Sequence, residues 1–585
     1  MTSTASQLNG GSWLVSEATE IFSPERLDDD HRLIAATAHE FMANEAMPAV
    51  DRLELKDWNL ARDLVAKAGS LGLVGSDVPE ELGGVGLDKA ASVIIGEAMG
   101  RSASVAATFG AQTGLAIIPI LSFGTDEQKQ KYLPGLASGE IVGAYALSES
   151  GSGSDALAAR ARATTQPDGS FLLTGEKMWV TNGGFADLFI VFAKVDGERF
   201  SAFLVERGFD GVSSGREEHK MGLHGSSTTP LILQDVRVPA NALLGQIGKG
   251  HKVALNTLNY GRFKLAAMCS GGAKMILGEA ATYAATRRQF NEPIATFGAI
   301  RHKLGEITAR VYGVESALYR TTGLIDGSLA EAHDLPLALE EFAIEASVLK
   351  VAASEMLDYV VDENVQIHGG NGFVKDYPAE RYYRDARVNR IFEGTNEINR
   401  LLVPGMLARR AVKGALPLIA AAKTLQDELL APPSLTPSAA ERLSAERALV
   451  TGMKKVALAV LGTAMQTYGE KLAEQQEVLG FTSDVIMDAF VAESSLLRAE
   501  QAAAEDPARA TLHEAAAQIV VHTALNRIQA SSREALAGMT QGDTLRTLLA
   551  AQRRWLKSTP ADLVSRRRIL ADEAVQQRKY PFAIL

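Results

Sequence analysis

The stretch KMWVTNGG, residues 177–184, lies within a region whose local pattern differs from that of the rest of the chain. Around it, from about residue 143 to 246, short segments rich in Val, Ile, Phe and Thr alternate with turn residues. Such segments favour β-strands, and several of them close together indicate a small barrel or sandwich. On both sides the chain is Ala-rich with helical periodicity. The sequence therefore predicts a mainly α protein with a central β-domain.

The helical regions can be followed from their apolar spacing. After residue 252 the clearest helix starts at Phe297, because apolar residues recur at steps of three and four from there to Leu318. A second helix is predicted from about Leu337 to Ile367, before a Gly-Gly stop. Beyond residue 410 the chain is again Ala-, Leu- and Glu-rich, and the Pro-containing stretch APPSLTPSAA, residues 431–440, indicates a linker.

A chain of 585 residues is long enough for several units that share a large core. We divide it by composition and pattern. The predicted segments are an N-terminal extension (1–29), an N-terminal helical domain (30–142), a β-barrel domain (143–250), a helical bundle domain (251–410), a linker (411–438) and a C-terminal helical domain (439–585).

Composition excludes several classes of protein. The net charge is −11, which disfavours binding to nucleic acid or to anionic lipid. The single cysteine, Cys269, rules out an intrachain disulfide and a cysteine-based metal site. No basic-then-apolar leader opens the chain, and no run approaches the roughly 18 apolar residues of a membrane span. We therefore expect a cytoplasmic protein.

Common cofactor and metal motifs are missing from the sequence. It has no complete G-x-G-x-x-G, no P-loop, no H-E-x-x-H and no EF-hand loop, so we expect neither a standard Rossmann site nor a metal. One G-x-S-x-G match, GVSSG at 211–215, is followed by polar residues and lacks the strand-to-helix context of a nucleophile elbow. We interpret it as a loop.

Two stretches of the β-region carry residues suited to a ligand. In YALSESGSGSD, residues 145–155, small residues would let backbone N–H groups approach an anion or a heterocycle edge, although a flexible surface loop has the same composition. In KMWVTNGG, Trp179 and Thr181 are two positions apart, which puts an aromatic face and a hydroxyl on one side of a strand. The alternative is an ordinary core Trp.

Two further stretches lie in the helical region. TRRQFNEP, residues 286–293, closes a helix with arginines that could neutralise a phosphate or only stabilise the helix end. QIHGGNGF, residues 366–373, leads through RDARVNR to IFEGTNEINR. There Glu393 stands just before a helix, where a carboxylate interacts well with the positive end of the helix dipole. It could equally be a catalytic base.

Together and in this order, these stretches resemble the acyl-CoA dehydrogenase family over roughly residues 40–410. The helical unit after residue 410 resembles the very-long-chain branch of that family. The resemblance implies an N-terminal helical domain, a β-barrel and a four-helix bundle, plus an extra C-terminal helical domain. It also implies FAD as cofactor, acyl-CoA as substrate and an electron-transfer flavoprotein as electron acceptor.

The resemblance assigns roles to individual residues. Glu393 occupies the position of the catalytic base, Trp179 lies near the flavin ring and Thr181 near N5. The implied FAD contacts are Tyr145, Leu147, Ser148, Ser154, Trp179, Val180, Thr181, Arg287, Gln289, Phe290, Gln366, Gly369, Gly370, Thr395, Asn396 and Glu397. The implied substrate contacts are Ser154, Asn259, Arg262, Phe392 and Gly394.

The chain departs from the family pattern at three positions, which lie in two of these motifs. Ser148 stands where the family usually has Thr, and it keeps the hydroxyl. Ser150 replaces a Pro, and Asn291 replaces a Gly at a position where a left-handed backbone is still tolerable. None of these changes removes a reacting group.

The resemblance leads us to expect FAD-dependent α,β-dehydrogenation of a medium- to long-chain acyl-CoA. The small-residue segment 100–116 would leave room for a long acyl chain. Two alternatives stay open: an acyl-CoA oxidase on the same scaffold, and a non-catalytic assembly protein that keeps the fold. We also expect a homodimer. The C-terminal unit would cover the surface on which other members of the family join two dimers into a tetramer. Peripheral membrane contact through an amphipathic C-terminal helix is an alternative that the acidic balance disfavours.

Overall fold

The computed structural model describes residues 9–430 and 442–583. The N-terminal helices begin at acidic or hydroxyl caps: the side chains of Asp28, Asp57, Asp88 and Thr125 each accept a backbone N–H of the first helical turn. The helices of this region are α1 (Asp29–Phe41), α2 (Met47–Glu54), α3 (Trp58–Ser70), α4 (Lys89–Met99), α5 (Ala103–Gly110), α6 (Ile118–Phe123) and α7 (Asp126–Ser138). Short π-helical segments join α1 to α2 and α5 to α6.

The central region forms a β-sheet with strand order β6-β7-β3-β2-β4-β5-β8, and β1 pairs in parallel with β4. Its strands are β1 (Gly143–Ala146), β2 (Arg162–Thr165), β3 (Phe171–Thr181), β4 (Leu188–Val195), β5 (Arg199–Glu206), β6 (Val212–Ser214), β7 (Thr228–Val238) and β8 (Leu243–Leu244). The GVSSG segment, expected to be a loop, supplies β6, because Val212 to Ser214 pair with β7 at the edge of the sheet.

Long helices return after the sheet. They are α8 (Gly250–Thr286), α9 (Gly298–Ala332), α10 (Leu335–Glu341), α11 (Ala343–His368), α12 (Ala379–Ala386) and α13 (Asn396–Val412), and a small hairpin of β9 (Arg288–Gln289) and β10 (Glu292–Pro293) follows α8. The predicted apolar seam of α9 is buried from Leu304 to Leu318. The helix predicted over 337–367 is interrupted at Phe342, which is itself buried.

The C-terminal region packs on the bundle. Its helices are α14 (Leu418–Leu430), α15 (Ser444–Tyr468), α16 (Gln476–Glu505), α17 (Ala510–Met539), α18 (Gly542–Trp555) and α19 (Leu563–Gln577). The segment 411–438, expected to be a linker, thus contains a helix, since Leu418 and Leu425 find a buried face to pack against. The stretch 431–440 that indicated the linker lies outside the described residues.

Two hydrophobic cores organise the molecule. One joins the bundle with the C-terminal helices, and the other joins the N-terminal helices with the sheet. Two helical stretches, Ala103–Phe123 and Ser444–Glu474, are long and apolar enough to cross a membrane, contrary to the expectation from the sequence. Their most apolar windows are 78% and 56% buried inside the protein, so much of this apolar surface is used in packing.

Candidate active site

The loop before α13 has an unusual backbone. Glu393 and Gly394 both have positive φ, at +57° and +77°. Thr395 then caps α13, and its hydroxyl accepts the backbone N–H of Ile398 at 3.2 Å. A non-glycine residue in the left-handed region costs free energy and persists only where its surroundings over-determine it. The structure must therefore hold Glu393 in place by other contacts.

Buried donors provide those contacts by binding the carbonyls of the loop. The Nε–H of Arg262 donates to the carbonyl of Glu393 at 3.1 Å. The Nζ of Lys350 donates to the carbonyl of Gly394 at 2.7 Å, and Nδ2 of Asn399 donates to the same carbonyl at 2.9 Å. All three side chains are at most 4% exposed. The left-handed turn is thus fixed from beneath by α8, α11 and α13.

The carboxyl group of Glu393 lies in a strongly desolvated position. Burial raises its pKa to about 7, although the cations Arg262 and Lys350 act in the opposite direction. Within the described part of the chain its Oε2 is buried without a hydrogen-bond partner, and so is the hydroxyl of Tyr145. Burial and the Glu393 carboxylate raise the pKa of Tyr145 well above its usual value. Unpartnered buried polar atoms are costly, so this site is suited to a polar ligand group.

A bulge near the end of β3 determines how the KMWVTNGG stretch is presented. The pairing of β3 with β7 shifts between Lys177 and Val180, and Trp179 has φ +56°. Trp179 is 58% exposed and Thr181 half-buried, whereas Val180 between them is fully buried. Trp179 is therefore a surface aromatic and not a core residue. Val180, predicted to touch the cofactor, can reach one only with its backbone.

The predicted residues at the YALSESGSGSD stretch are held by a buried ion pair. Lys177 is fully buried, and its Nζ donates to the carboxylate of Glu149 at 2.7 Å and to the carbonyl of Leu147 at 3.1 Å. The backbone N–H of Met178 donates to the carbonyl of Ser148 at 2.9 Å. These contacts fix the loop alongside Trp179. Sequence reasoning missed the pair, although a Lys on the buried side of a predicted strand was a usable signal.

Predicted FAD contacts on two other elements face outward. Phe290 is 91% exposed at the tip of the β9–β10 hairpin. The remaining members are also exposed: Arg287, Gln289, Gln366, Gly369 and Gly370. The two elements adjoin, because the hydroxyl of Tyr283 donates to the carbonyl of His368 at 3.1 Å. No hydrogen bond within the described residues links these side chains to the Glu393 loop. Ser154, a predicted contact of both cofactor and substrate, is likewise exposed.

Several residues predicted to contact a ligand have side chains that also take part in contacts within the protein. Asn259 is buried, donates to the carbonyl of Leu339 at 3.2 Å and accepts from Arg262 at 3.0 Å. Asn396 accepts from Lys350 at 2.7 Å. Arg262, expected to contact the substrate, uses its Nε–H on the carbonyl of Glu393 and its Nη1 on Asn259. Phe392 is half-buried against the bundle core, and Glu397 is exposed in the first turn of α13.

Comparison with known proteins identifies the family. Models of the acyl-CoA dehydrogenase N-terminal, middle and C-terminal domains match residues 28–140, 144–236 and 248–407, and a further acyl-CoA dehydrogenase C-terminal domain matches 452–554. A probable acyl-CoA dehydrogenase of Bacillus subtilis is 45% identical over 98% of both chains. The chain belongs to the acyl-CoA dehydrogenase family. The predicted family and enzyme class are thereby confirmed.

Other relatives resemble the chain over different lengths. The human very long-chain specific acyl-CoA dehydrogenase is 43% identical over 57% of this chain and 51% of its own. An acyl-CoA dehydrogenase of Bacillus anthracis, solved with FAD, is 44% identical and superimposes with a TM-score of 0.96 over 98% of this chain and 99% of its own. A structure of the electron transferring flavoprotein of Acidaminococcus fermentans matches 66% of this chain and 98% of its own, at 35% identity and a TM-score of 0.60.

Proposed function

We propose that this acyl-CoA dehydrogenase family member oxidises a fatty acyl-CoA to the trans-2-enoyl-CoA, with Glu393 as the base that removes the α-proton. The observation that carries the proposal is the carboxyl group of Glu393: its Oε2 is buried without a hydrogen-bond partner among the described residues, and its pKa is raised to about 7. A carboxylate with its ordinary pKa of about 4.3 is too weak a base for a carbon acid. Desolvation makes it a stronger one.

FAD is the cofactor of this reaction, and residues of this chain fit it. The exposed face of Trp179, the half-buried Thr181 and the unpartnered hydroxyl of Tyr145 offer an aromatic surface and hydrogen-bonding groups on the contacting strands β1 and β3. The β9–β10 hairpin, which carries Phe290, and the turn after α11, which carries Gly370, both face outward. This arrangement suits a cofactor that extends to a second subunit. Bound FAD supplies the acceptor for the hydride that leaves the β-carbon, so that the C=C bond forms with loss of one proton and one hydride.

The contacts of the Glu393 loop show how the protein itself would contribute to the proposed reaction. Arg262 and Lys350 hold the backbone on which the base is mounted, so the carboxylate needs no reorganisation when substrate arrives. Burial keeps water away from the carboxylate. Because water would stabilise its charged form, its exclusion makes the carboxylate a stronger base. The half-buried Phe392 continues the apolar wall next to the base.

The proposed substrate is a medium- to long-chain acyl-CoA. The small-residue segment, residues 100–116, forms α5 and most of the π-helical segment that follows it, and it packs against α8: an added Cβ at Gly114 would lie 3.6 Å from the ring of Tyr260. Tyr260 directly precedes Gly261, which adjoins Glu393. The small-residue segment therefore packs on the same helix, α8, that lies against Glu393. The likeness to a very long-chain specific enzyme supports the same proposal.

The proposed electron acceptor is an electron-transfer flavoprotein, and the proposed assembly is a cytoplasmic homodimer. The acceptor is the one that the resemblance to the acyl-CoA dehydrogenase family implies. Support for the dimer comes from the C-terminal helices, which cover one side of the bundle. Hydrogen peroxide produced at the rate of flavin reoxidation would favour an oxidase instead. A tetramer in light scattering would contradict the assembly.

The central test is anaerobic addition of palmitoyl-CoA to the purified flavoprotein. We expect rapid bleaching of the flavin absorbance by the wild type. Glu393→Gln should retain FAD and lose bleaching by at least about 100-fold, as expected when a general base is removed. Bleaching by Glu393→Gln at the wild-type rate would refute the role of Glu393. Across a chain-length series, fastest bleaching with butyryl-CoA would contradict the proposed substrate class.

A further inference from the structure

A chain of polar contacts joins the base-carrying loop to the C-terminal helices. It starts at Lys350, whose Nζ donates to the carbonyl of Gly394 and to Oδ1 of Asn396, both at 2.7 Å. The Nδ2 of Asn396 then donates to Oε1 of Glu355 at 3.1 Å. Lys350 and Asn396 are at most 2% exposed, so these contacts are shielded from water.

The series of polar contacts continues through Arg400, which binds two carboxylates. The terminal nitrogens of Arg400 donate to both carboxylate oxygens of Glu355, at 2.6 and 2.9 Å. The Nε–H of Arg400 donates to Asp484 of α16 at 2.8 Å. A bidentate arginine fixes the orientation of its partner as well as its position. Asp484 of the C-terminal region is thus connected, through Arg400 and Glu355, to the backbone next to Glu393.

The surroundings of Arg400 leave its ion pairs as the main contacts at this point of the interface. A cavity of about 370 Å³ lies between the bundle and the C-terminal helices at this point, and Glu355, Arg400 and Asp484 line it. Close-packed apolar side chains therefore do not immobilise this part of the interface. Burial by itself lowers the pKa of Arg400, but its two carboxylate partners raise it above the usual value, so the guanidinium stays charged.

We propose that Asp484 and Arg400 are positioning residues for Glu393, through which the C-terminal domain holds the catalytic loop in its left-handed conformation. This inference rests on the proposed role of Glu393 as the base. Its physical reason is that Glu393, a non-glycine residue of positive φ, needs contacts that over-determine its backbone conformation. The C-terminal domain supplies one such restraint in addition to covering the bundle.

A matched pair of variants separates positioning from ordinary domain docking. Asp488 lies one turn further along α16 and forms its own ion pair with Arg527 at 2.5 Å. Asp484→Asn and Asp488→Asn each remove one carboxylate from the same helix. Only Asp484 is joined to the Glu393 loop by the contacts described above. Both variants are prepared as full-length holoprotein with measured FAD content.

For Asp484→Asn we expect kcat to fall roughly tenfold with little change in KM, because a loosened base loses its alignment. The rising limb of its pH–rate profile should move to higher pH, since the ammonium of Lys350 is held less firmly near Glu393. Hydrogen exchange of the peptide containing residues 387–400 should accelerate. Asp488→Asn should match the wild type in all three measurements, and Asp484→Glu should restore most of kcat.

The inference would be overturned if Asp484→Asn and Asp488→Asn had the same kcat, the same rising limb in the pH–rate profile and the same rate of hydrogen exchange in residues 387–400. If Asp484→Asn does not fold, Arg400→Lys serves the same purpose, because it keeps the charge but loses the bidentate bond to Glu355. Wild-type protein that fails to bleach with any acyl-CoA would contradict the proposed function instead. The two failures are therefore distinguishable.

Discussion

Gly261 of α8 lies directly against the carboxylate of Glu393. A Cβ built on Gly261 would fall 2.6 Å from Oε2 and 2.9 Å from the carboxyl carbon of Glu393. Such separations are shorter than any ordinary contact of a Cβ. A glycine inside a helix costs free energy relative to alanine, so this one has a reason other than helix stability. It creates the space in which the carboxylate of Glu393 sits.

Gly261→Ala is accordingly expected to disturb the base and leave the fold intact. The added methyl should displace the Glu393 carboxylate and reduce kcat by roughly 100-fold. Stopped-flow measurement of flavin bleaching checks this, together with FAD content and Tm. The control is Gly480→Ala in α16, where an added Cβ meets no atom within 4 Å. Equal activity in the two variants would show that the carboxylate does not depend on this space.

Arg262 is expected to control the pH dependence of the reaction. Glu393 must be ionised to act, so kcat/KM should rise with pH and level off above about 7. The charge of Arg262 lowers the pKa of Glu393, so Arg262→Gln should move this limb to higher pH and reduce the plateau.

The control for Arg262 is Arg320→Gln, which removes another buried arginine, one that pairs with Glu493 at 2.8 Å. It should lose stability without moving the limb. An unchanged limb in Arg262→Gln would contradict the electrostatic role of Arg262.

Glu393 should weaken the folded state at high pH. Its folded pKa of about 7 lies above its unfolded value, so the folded protein binds this proton more tightly. Stability is then lost as pH rises from about 4.5 to 7, by on the order of 3 kcal/mol. Glu393→Gln should raise Tm relative to the wild type at pH 8, with a smaller gain at pH 5.

The comparison for this prediction is Glu397→Gln, four residues away. The pKa of Glu397 is lowered by a backbone hydrogen bond at the start of α13, so its loss should give no gain in Tm at pH 8. If Glu393 only stabilised the helix start, the two variants would behave alike.

The ion pair of Lys177 and Glu149 should govern cofactor retention. Glu149→Gln would leave Lys177 buried with its charge poorly compensated, which typically costs about 3–5 kcal/mol. The carbonyl of Leu147 and the loop beside Trp179 lose their anchor. We expect FAD to dissociate more readily, as measured by the flavin to protein absorbance ratio after dialysis. Asp168→Asn, at an exposed ion pair of the same sheet, should retain FAD.

The sequence predicted those features that depend on local pattern alone. Apolar spacing gave the long helices, Val- and Phe-rich segments gave the sheet, and the order of the quoted motifs gave the family. The interruption at Phe342 and the helix Leu418–Leu430 were not predicted, because both depend on which buried face the chain meets. Local pattern contains no information about that face.

For the active site, the sequence by itself determined which residues stand beside each other along the chain: a Glu before a Gly and a helix cap, and a Trp two positions from a Thr. Only the tertiary structure decided what those residues do. It brought Gly261, Arg262 and Lys350 against Glu393 from helices far away in sequence, and it placed a bulge beneath Trp179. The pKa of a carboxyl depends on solvent and charges in three dimensions, so the basicity of Glu393 is a property of the packing.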